Sequence, residues 1–273
     1  MKHHLVRLLL VLAAVVSAGF LAAVPAAASL ESAGEFTVYA HRGYTEKAHP
    51  ENTLAALEHA RRHRARAVEV DMRVTRDDRI VLMHDRTLDR TTTCRGPVRR
   101  HTAASIRHRC RTKLGKERVP TLKQVLEWAA RHRMRVILEV KVDAPVKDAW
   151  TPGMFVTLDR MITEHGLQDE VILHSFSARR LRLAKEAAPS LHVQVITQRW
   201  AAVAPVRAWA DGVNVWARHL NAARVERLHA DGLYVLGRDS DEPADWRRIR
   251  RSGADGLVTD AVPGALRIAP PGR

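Results

Sequence analysis

Seven side chains stand out because their types suit chemistry better than packing: His41, Arg42, Glu69, Asp71, His84, Glu139 and Lys141. Glu69 and Asp71 sit two residues apart in an otherwise apolar run, so as a strand they share one face while Val68 and Val70 take the other. Glu139 and Lys141 repeat that spacing around Val140. Three carboxylates turned to the inside of a sheet are costly unless their charge is compensated. A hard divalent cation compensates it, because calcium and magnesium take oxygen ligands. The pattern predicts Glu69, Asp71 and Glu139 as ligands of one divalent cation, calcium or magnesium. Zinc held by nearby histidines is the competing reading, which an all-oxygen set disfavours. Of 15 histidines, His59, His63, His101, His108, His132, His165 and His229 lie in polar or helical surface contexts. His41 and His84 instead each end an apolar β-like run beside the acids. Two imidazoles can serve as base and acid near neutral pH. His41 is read as base or nucleophile and His84 as acid.

Side chains on separate runs need a scaffold that gathers strand ends. Candidate strands are 36–40, 67–74, 135–142, 171–174, 192–197, 212–216, 233–236 and 256–259, each short and rich in β-branched residues. Between them, 53–63, 122–132, 153–165, 178–188, 202–210, 222–230 and 244–251 carry apolar residues at helical spacing. Gly166, Gly212, Gly232 and Gly256 punctuate the passage from helix to strand. Eight strand–helix alternations predict a parallel sheet covered by helices, and eight strands close a (β/α)8 TIM barrel. A doubly wound open sheet is the alternative, but no glycine-rich phosphate loop follows the first strand. An extra strand at 79–84 opens a basic excursion that lasts to Val119, so the expectation is one domain with a small inserted loop after the second strand. In such a barrel the chemistry gathers at the C-terminal ends of the strands, where His41, His84 and the acids fall.

The first 28 residues do not read as part of that fold. Lys2 and Arg7 precede an apolar Leu-, Ala- and Val-rich run that ends in Ala26-Ala27-Ala28, the pattern of a secretory signal peptide. Cleavage after Ala28 leaves 29–273 as the barrel domain of a secreted protein with no stable membrane insertion. The alternative is an uncleaved anchor, since the run approaches the ~20 residues that span a bilayer. The chain of 273 residues has a formal net charge of +15. Its arginines are scattered, and aromatics make up only 5%. This argues against a specific nucleic-acid partner and for a solvated basic surface that attracts anions. Cys94 and Cys110, alone in an exported chain, predict one disulfide, which would stabilise by roughly 3 kcal/mol for a loop of this size.

Several blocks together resemble the glycerophosphodiester phosphodiesterase family: Ala40-His41-Arg42-Gly43, Pro50-Glu51-Asn52-Thr53, Glu69-Val70-Asp71, Thr75-Arg76-Asp77, His84-Asp85, Leu138-Glu139-Val140-Lys141, Ser175-Phe176 and Thr259-Asp260. The resemblance implies a barrel that hydrolyses a small-molecule glycerophosphodiester to glycerol 3-phosphate and an alcohol. It implies His41 and His84 as the catalytic pair, Glu69, Asp71 and Glu139 as metal ligands, and Arg42 and Lys141 as substrate-binding residues on the phosphate. Glu51 and Asn52 belong either to the rim of the site or to the cap of the helix that begins near Thr53. Two departures stand out. Asp78 replaces the glycine usual in a hairpin turn, and Leu236-Gly237-Arg238-Asp239 replaces the Trp-Thr-x-Asn motif common near the seventh strand. Trp216 and His174, both at strand ends, are further candidates to face the pocket. Competing functions are a related phospholipase or sphingomyelinase D-like enzyme acting on intact lipid, and a catalytically silent basic extracellular binding protein.

Overall fold

The structure, a computed structural model, describes residues 36–142, 149–238 and 241–268. The proposed leader and Asp239 lie outside the described residues. The described strands are β1 (Thr37–Ala40), β2 (Ala67–Val74), β3 (Ile80–Leu82), β4 (Arg135–Val140), β5 (Val171–Ser175), β6 (His192–Thr197), β7 (Gly212–Trp216), β8 (Tyr234–Arg238) and β9 (Gly256–Thr259). The helices are α1 (Leu54–Arg62), α2 (Ala103–Arg109), α3 (Leu122–His132), α4 (Pro152–Glu164), α5 (Ala178–Ala187), α6 (Ala222–Ala230), α7 (Pro243–Arg251) and α8 (Val262–Ile268). The sheet runs β1-β9-β8-β7-β6-β5-β4-β2, and β1 pairs with β2 to close it. Eight parallel strands thus form the expected barrel, with β3 antiparallel on the far part of β2.

The alternation read from the sequence sorts the two sides of the wall. Val68, Val70 and Met72 of β2, Leu138 and Val140 of β4, and Leu173 of β5 pack outward in the main core, beneath helix residues such as Leu57, Leu126 and Leu158. Each fully buried side chain of this kind contributes roughly 1.5–3 kcal/mol. Their neighbours point inward. Tyr39, Ala67, Ile137, Ile172, Tyr234, Leu236 and Val258 form a separate apolar cluster, the floor inside the barrel. One pleat further along, the inward positions become Glu69, Asp71, Glu139 and His174, so the polar layer sits on an apolar plug.

Two elements differ from expectation. The segment predicted as a helix over 202–210 forms two short 3₁₀ turns, Trp200–Ala202 and Ala204–Val206. Pro205 lacks the N–H that would continue the ladder and crowds the preceding turn. The excursion after β3 also folds, into α2 and a small core of Val81, Met83, Leu88, Val98, Ala103, Ile106, Cys110 and Val119. Cys94 and Cys110 form a disulfide there, with Cα atoms 5.3 Å apart. Asp78 has φ 53°, the left-handed conformation that the hairpin turn requires and that aspartate tolerates.

Candidate active site

Strand register aligns the inward groups. Asp71 pairs with Glu139 across β2 and β4, and Glu139 pairs with His174 across β4 and β5. Ala40 pairs with Val68, so His41, the next residue, comes level with Glu69. All three carboxylates are buried: Glu69 and Asp71 are 0% exposed and Glu139 is 5% exposed.

The turn after β1 is fitted closely to them. Arg42 has φ 55°, and its backbone N–H donates to Glu69 Oε2 at 3.0 Å. Gly43 has φ 82°, and a Cβ there would lie 2.7 Å from the backbone of Ala56 in α1, so only glycine lets the turn press against the helix. Asn52, also left-handed at φ 58°, donates from Nδ2 to Asp71 Oδ2 at 2.7 Å and accepts the backbone N–H of Asp71 at 2.8 Å. Thr53 is the N-cap of α1, its hydroxyl accepting from the N–H of Ala56. Capping is therefore the work of Thr53, while Asn52 and Glu51 belong to the site.

Two fixed cations compensate part of the buried charge. Lys141 Nζ lies 2.9 Å from Asp71 Oδ1 and 2.7 Å from Glu139 Oε1. Arg42 Nε lies 3.3 Å from Asp71 Oδ2. The indole of Trp150 donates to the Lys141 carbonyl at 2.8 Å and anchors that strand end. His174 Nε2 stands 3.4 Å from Glu69 Oε1 and 3.9 Å from Glu139 Oε2. Burial disfavours the charged form of Glu69, but the hydrogen bond with His174, the nearby His41 and the Arg42 N–H outweigh it and lower its pKa. Three carboxylates against Arg42 and Lys141 leave an excess of negative charge. Ligand atoms of Glu69, Glu139 and His174 converge within 4.8 Å of one another, a buried group able to hold a metal ion. The residues present fit a divalent cation.

The two predicted catalytic histidines are each oriented by a carboxylate. His41 Nδ1 lies 2.9 Å from Asp260 Oδ1, directly after β9. A carboxylate can only accept, so Nδ1 carries the proton and Nε2, 3.9 Å from Glu69 Oε2, faces the cluster. Burial opposes a charge on His41, yet the Asp260 hydrogen bond and the charge of Glu69 prevail and raise its pKa. His84 Nδ1 lies 2.8 Å from Asp85 Oδ1, and the His84 carbonyl accepts from the Arg73 guanidinium of β2 at 2.6 Å. Asp85 in turn is pulled down to about 2, first by its hydrogen bond from Arg90, with burial opposing and His84 assisting.

A cavity of about 150 Å³ opens over this layer, lined by His41, Glu69, Glu139, His174, Asn214, Arg238, Asp241, Val258, Thr259 and Asp260. Arg42, Asp71, Lys141 and His84 are not among its lining residues: the first three reach the layer through the ion pairs above, and His84 is linked to it through Asp85, Arg90, Glu51 and Arg42. Trp216 does not line it; the Arg218 guanidinium covers its ring at 3.4 Å. At the departure near β8, Gly237 lies against Ile249, where a Cβ would approach to 2.5 Å, and Arg238 turns to the cavity with its guanidinium 4.7 Å from the ring centroid of Phe176.

Five groups of this site stand outside the seven singled out: Glu51, Asn52, Asp85, His174 and Asp260. His174, a strand-end candidate from the sequence, does face the cavity, inward on β5 beside Glu139. Asp260 and Asp85 each belong to a block that carries the family resemblance, but nothing in the spacing shows that their carboxylates meet His41 and His84. A second cluster, Glu46, His49 and His59, brings ligand atoms equally close. Its imidazoles stack at 3.9 Å with planes only 20° apart, so their in-plane lone pairs run side by side and do not meet at one ion.

Comparison with known proteins agrees with this architecture. A glycerophosphodiester phosphodiesterase of Caldanaerobacter subterraneus is 31% identical over 232 residues, covering 82% of this chain and 93% of that protein. A solved structure of a putative glycerophosphoryl diester phosphodiesterase from Silicibacter pomeroyi superposes with a TM-score of 0.74 at 23% identity, over 86% of this chain and 93% of that one. An Oleispira antarctica phosphodiesterase, solved in complex with the product sn-glycerol-3-phosphate, superposes with a TM-score of 0.73 at 23% identity, over 85% and 96% of the two chains. The glycerophosphoryl diester phosphodiesterase family profile matches residues 41–263, from His41 to the start of α8, and the chain belongs to that family.

Proposed function

We propose that this enzyme hydrolyses small-molecule glycerophosphodiesters to glycerol 3-phosphate and an alcohol, using His41 and His84 as the acid–base pair beside a divalent cation. The observation that carries the reading is the layer of Glu69, Asp71, Glu139 and His174 with His41 level beside it, on one end of the barrel. Glu69, Asp71 and Glu139 would hold the cation, calcium or magnesium; Glu69 and Glu139 converge with His174, while Asp71 is engaged by Lys141, Asn52 and Arg42 and would reach the ion beside them. When bound, the cation neutralises charge on the phosphate oxygens. Arg42 and Lys141, anchored on the same carboxylates, bind and orient the phosphate. His41 takes at Nε2 the proton of the water whose oxygen bonds to phosphorus, while Asp260 and Glu69 stabilise the positive charge that builds on its ring. His84, held by Asp85 at Nδ1, presents Nε2 to the departing alcohol oxygen as the acid. The leader directs the chain to the exterior, where the disulfide persists.

The test is an assay of the purified mature protein against several glycerophosphodiesters and an intact phospholipid, following glycerol 3-phosphate. Hydrolysis of a glycerophosphodiester, lost on chelation and restored by calcium or magnesium, is expected. Full activity after exhaustive chelation would remove the cation from the proposal, and cleavage of the lipid alone would move the enzyme to the lipase-like reading.

A further inference from the structure

Arg90 is not among the seven residues singled out from the sequence, yet its guanidinium bonds two carboxylates beside the site. Its Nε donates to Asp85 Oδ2 at 2.6 Å and its Nη2 to Asp85 Oδ1 at 3.0 Å. The same guanidinium donates from Nη1 to Glu51 Oε2 and from Nη2 to Glu51 Oε1, both at 2.7 Å. Asp85 Oδ1 is also the partner of His84 Nδ1 at 2.8 Å, and Glu51 Oε1 accepts from Arg42 Nη1 at 3.3 Å. One planar fork thus ties the loop after β3, which carries His84, to the loop after β1, which carries Arg42. Arg90 sits in the inserted segment, four residues before the disulfide at Cys94.

We propose that Arg90 is a positioning residue for the reaction: by fixing the Asp85 carboxylate from a guanidinium anchored on Glu51, it sets the orientation of the His84 ring. This rests on the reading of His84 as a catalytic residue. The physical reason is rotational. Asp85 could swing about its χ angles and carry the hydrogen-bonded imidazole with it. Two parallel N–H···O contacts fix a carboxylate as a single contact does not. Glu51 supplies the second fork, so the guanidinium is itself fixed. A lysine ammonium offers no planar fork and cannot hold both carboxylates in this geometry.

Arg90 is 49% exposed, and exposed ion pairs add little to stability, so its replacement shifts Tm by no more than about 4 °C. The loss falls on turnover instead, since displacing a catalytic group by around 1 Å can cost about 100-fold.

The experiment is a double-mutant cycle of Arg90→Gln with His84→Ala on the full mature chain, reading kcat and KM on a glycerophosphodiester. Arg90→Gln alone is expected to lower kcat by about 10- to 100-fold, with KM changed by less than about 3-fold because the phosphate ligands remain. Arg90→Lys falls between the two. In the His84→Ala background the same substitution costs less than about 2-fold, because there is no ring left to orient. Wild-type kcat in Arg90→Gln overturns the proposal, and so does an undiminished loss in the His84→Ala background, which would place the effect elsewhere. Retention of activity by His84→Ala alone is a different failure: it overturns the reading of His84 on which this one stands.

Discussion

Asn52 grips Asp71 from both sides, its amide donating to the carboxylate at 2.7 Å and its carbonyl accepting the backbone N–H of the same residue at 2.8 Å. The contact joins the loop before α1 to the interior of β2 and fixes one of the proposed cation ligands. Removing it leaves a fully buried carboxylate short of a donor, which costs about 1–3 kcal/mol. Asn52→Ala should therefore lower stability by about that amount and raise the calcium or magnesium concentration needed for half-maximal activity. Chemical denaturation and metal titration of the variant check both effects. A variant with unaltered metal requirement would show that Asp71 needs no support from Asn52.

The barrel was readable because its cause is periodic. Val68, Glu69, Val70 and Asp71 alternate strictly, and the strand turns the acids inward as that alternation demands. The same logic extends to His174. The segment at 202–210 failed for a local reason: its apolar spacing suits a helix, but Pro205 breaks the ladder. The contacts of Asp260 and Arg90 are not readable for a different reason, although Thr259-Asp260 stands among the blocks that carry the resemblance. Asp260 reaches His41 only when the barrel closes between β1 and β9, 219 residues apart in the chain. Arg90 meets Glu51 across 39 residues through a loop of irregular shape. No period in the sequence encodes those meetings.

Acid should unfold the protein partly through the carboxylates that Arg90 holds. Asp85 is lowered to about 2 in the folded chain, first by Arg90. Glu51 is also lowered, burial being outweighed by Arg90 and Arg42. A lowered carboxylate contributes stability that is present above its unfolded pKa, about 3.9 for Asp and 4.3 for Glu, and is lost as pH falls toward the folded value. Urea midpoints should thus fall between about pH 5 and pH 2, and Arg90→Gln should flatten that fall. Parallel curves for the two proteins would mean that the pair contributes nothing to acid stability.

Cys94 and Cys110 should resist alkylation in the native protein and react after reduction. The bridge closes a 16-residue separation around the inserted core, so the double Cys→Ser variant should lose roughly 3 kcal/mol in unfolding free energy. Labelling of both thiols without reductant would show that the bridge does not form.

The mature N-terminus should be Ser29. Intact-mass measurement of the protein recovered from culture medium checks this, and a chain found only in membranes at full length would support the uncleaved anchor instead.

The central claim is that His41 and His84 perform the proton transfers, and kcat of His41→Ala and His84→Ala on two substrates tests it most directly. On a glycerophosphodiester with an ordinary alcohol, each variant should lose at least about 100-fold, since positioned acid–base catalysis contributes roughly 10²–10⁴-fold. On a nitrophenyl diester, whose leaving group needs little protonation, His84→Ala should recover most of its activity and His41→Ala should not. Recovery in His41→Ala instead would reverse the two roles, and wild-type turnover in both variants would contradict the catalytic assignment.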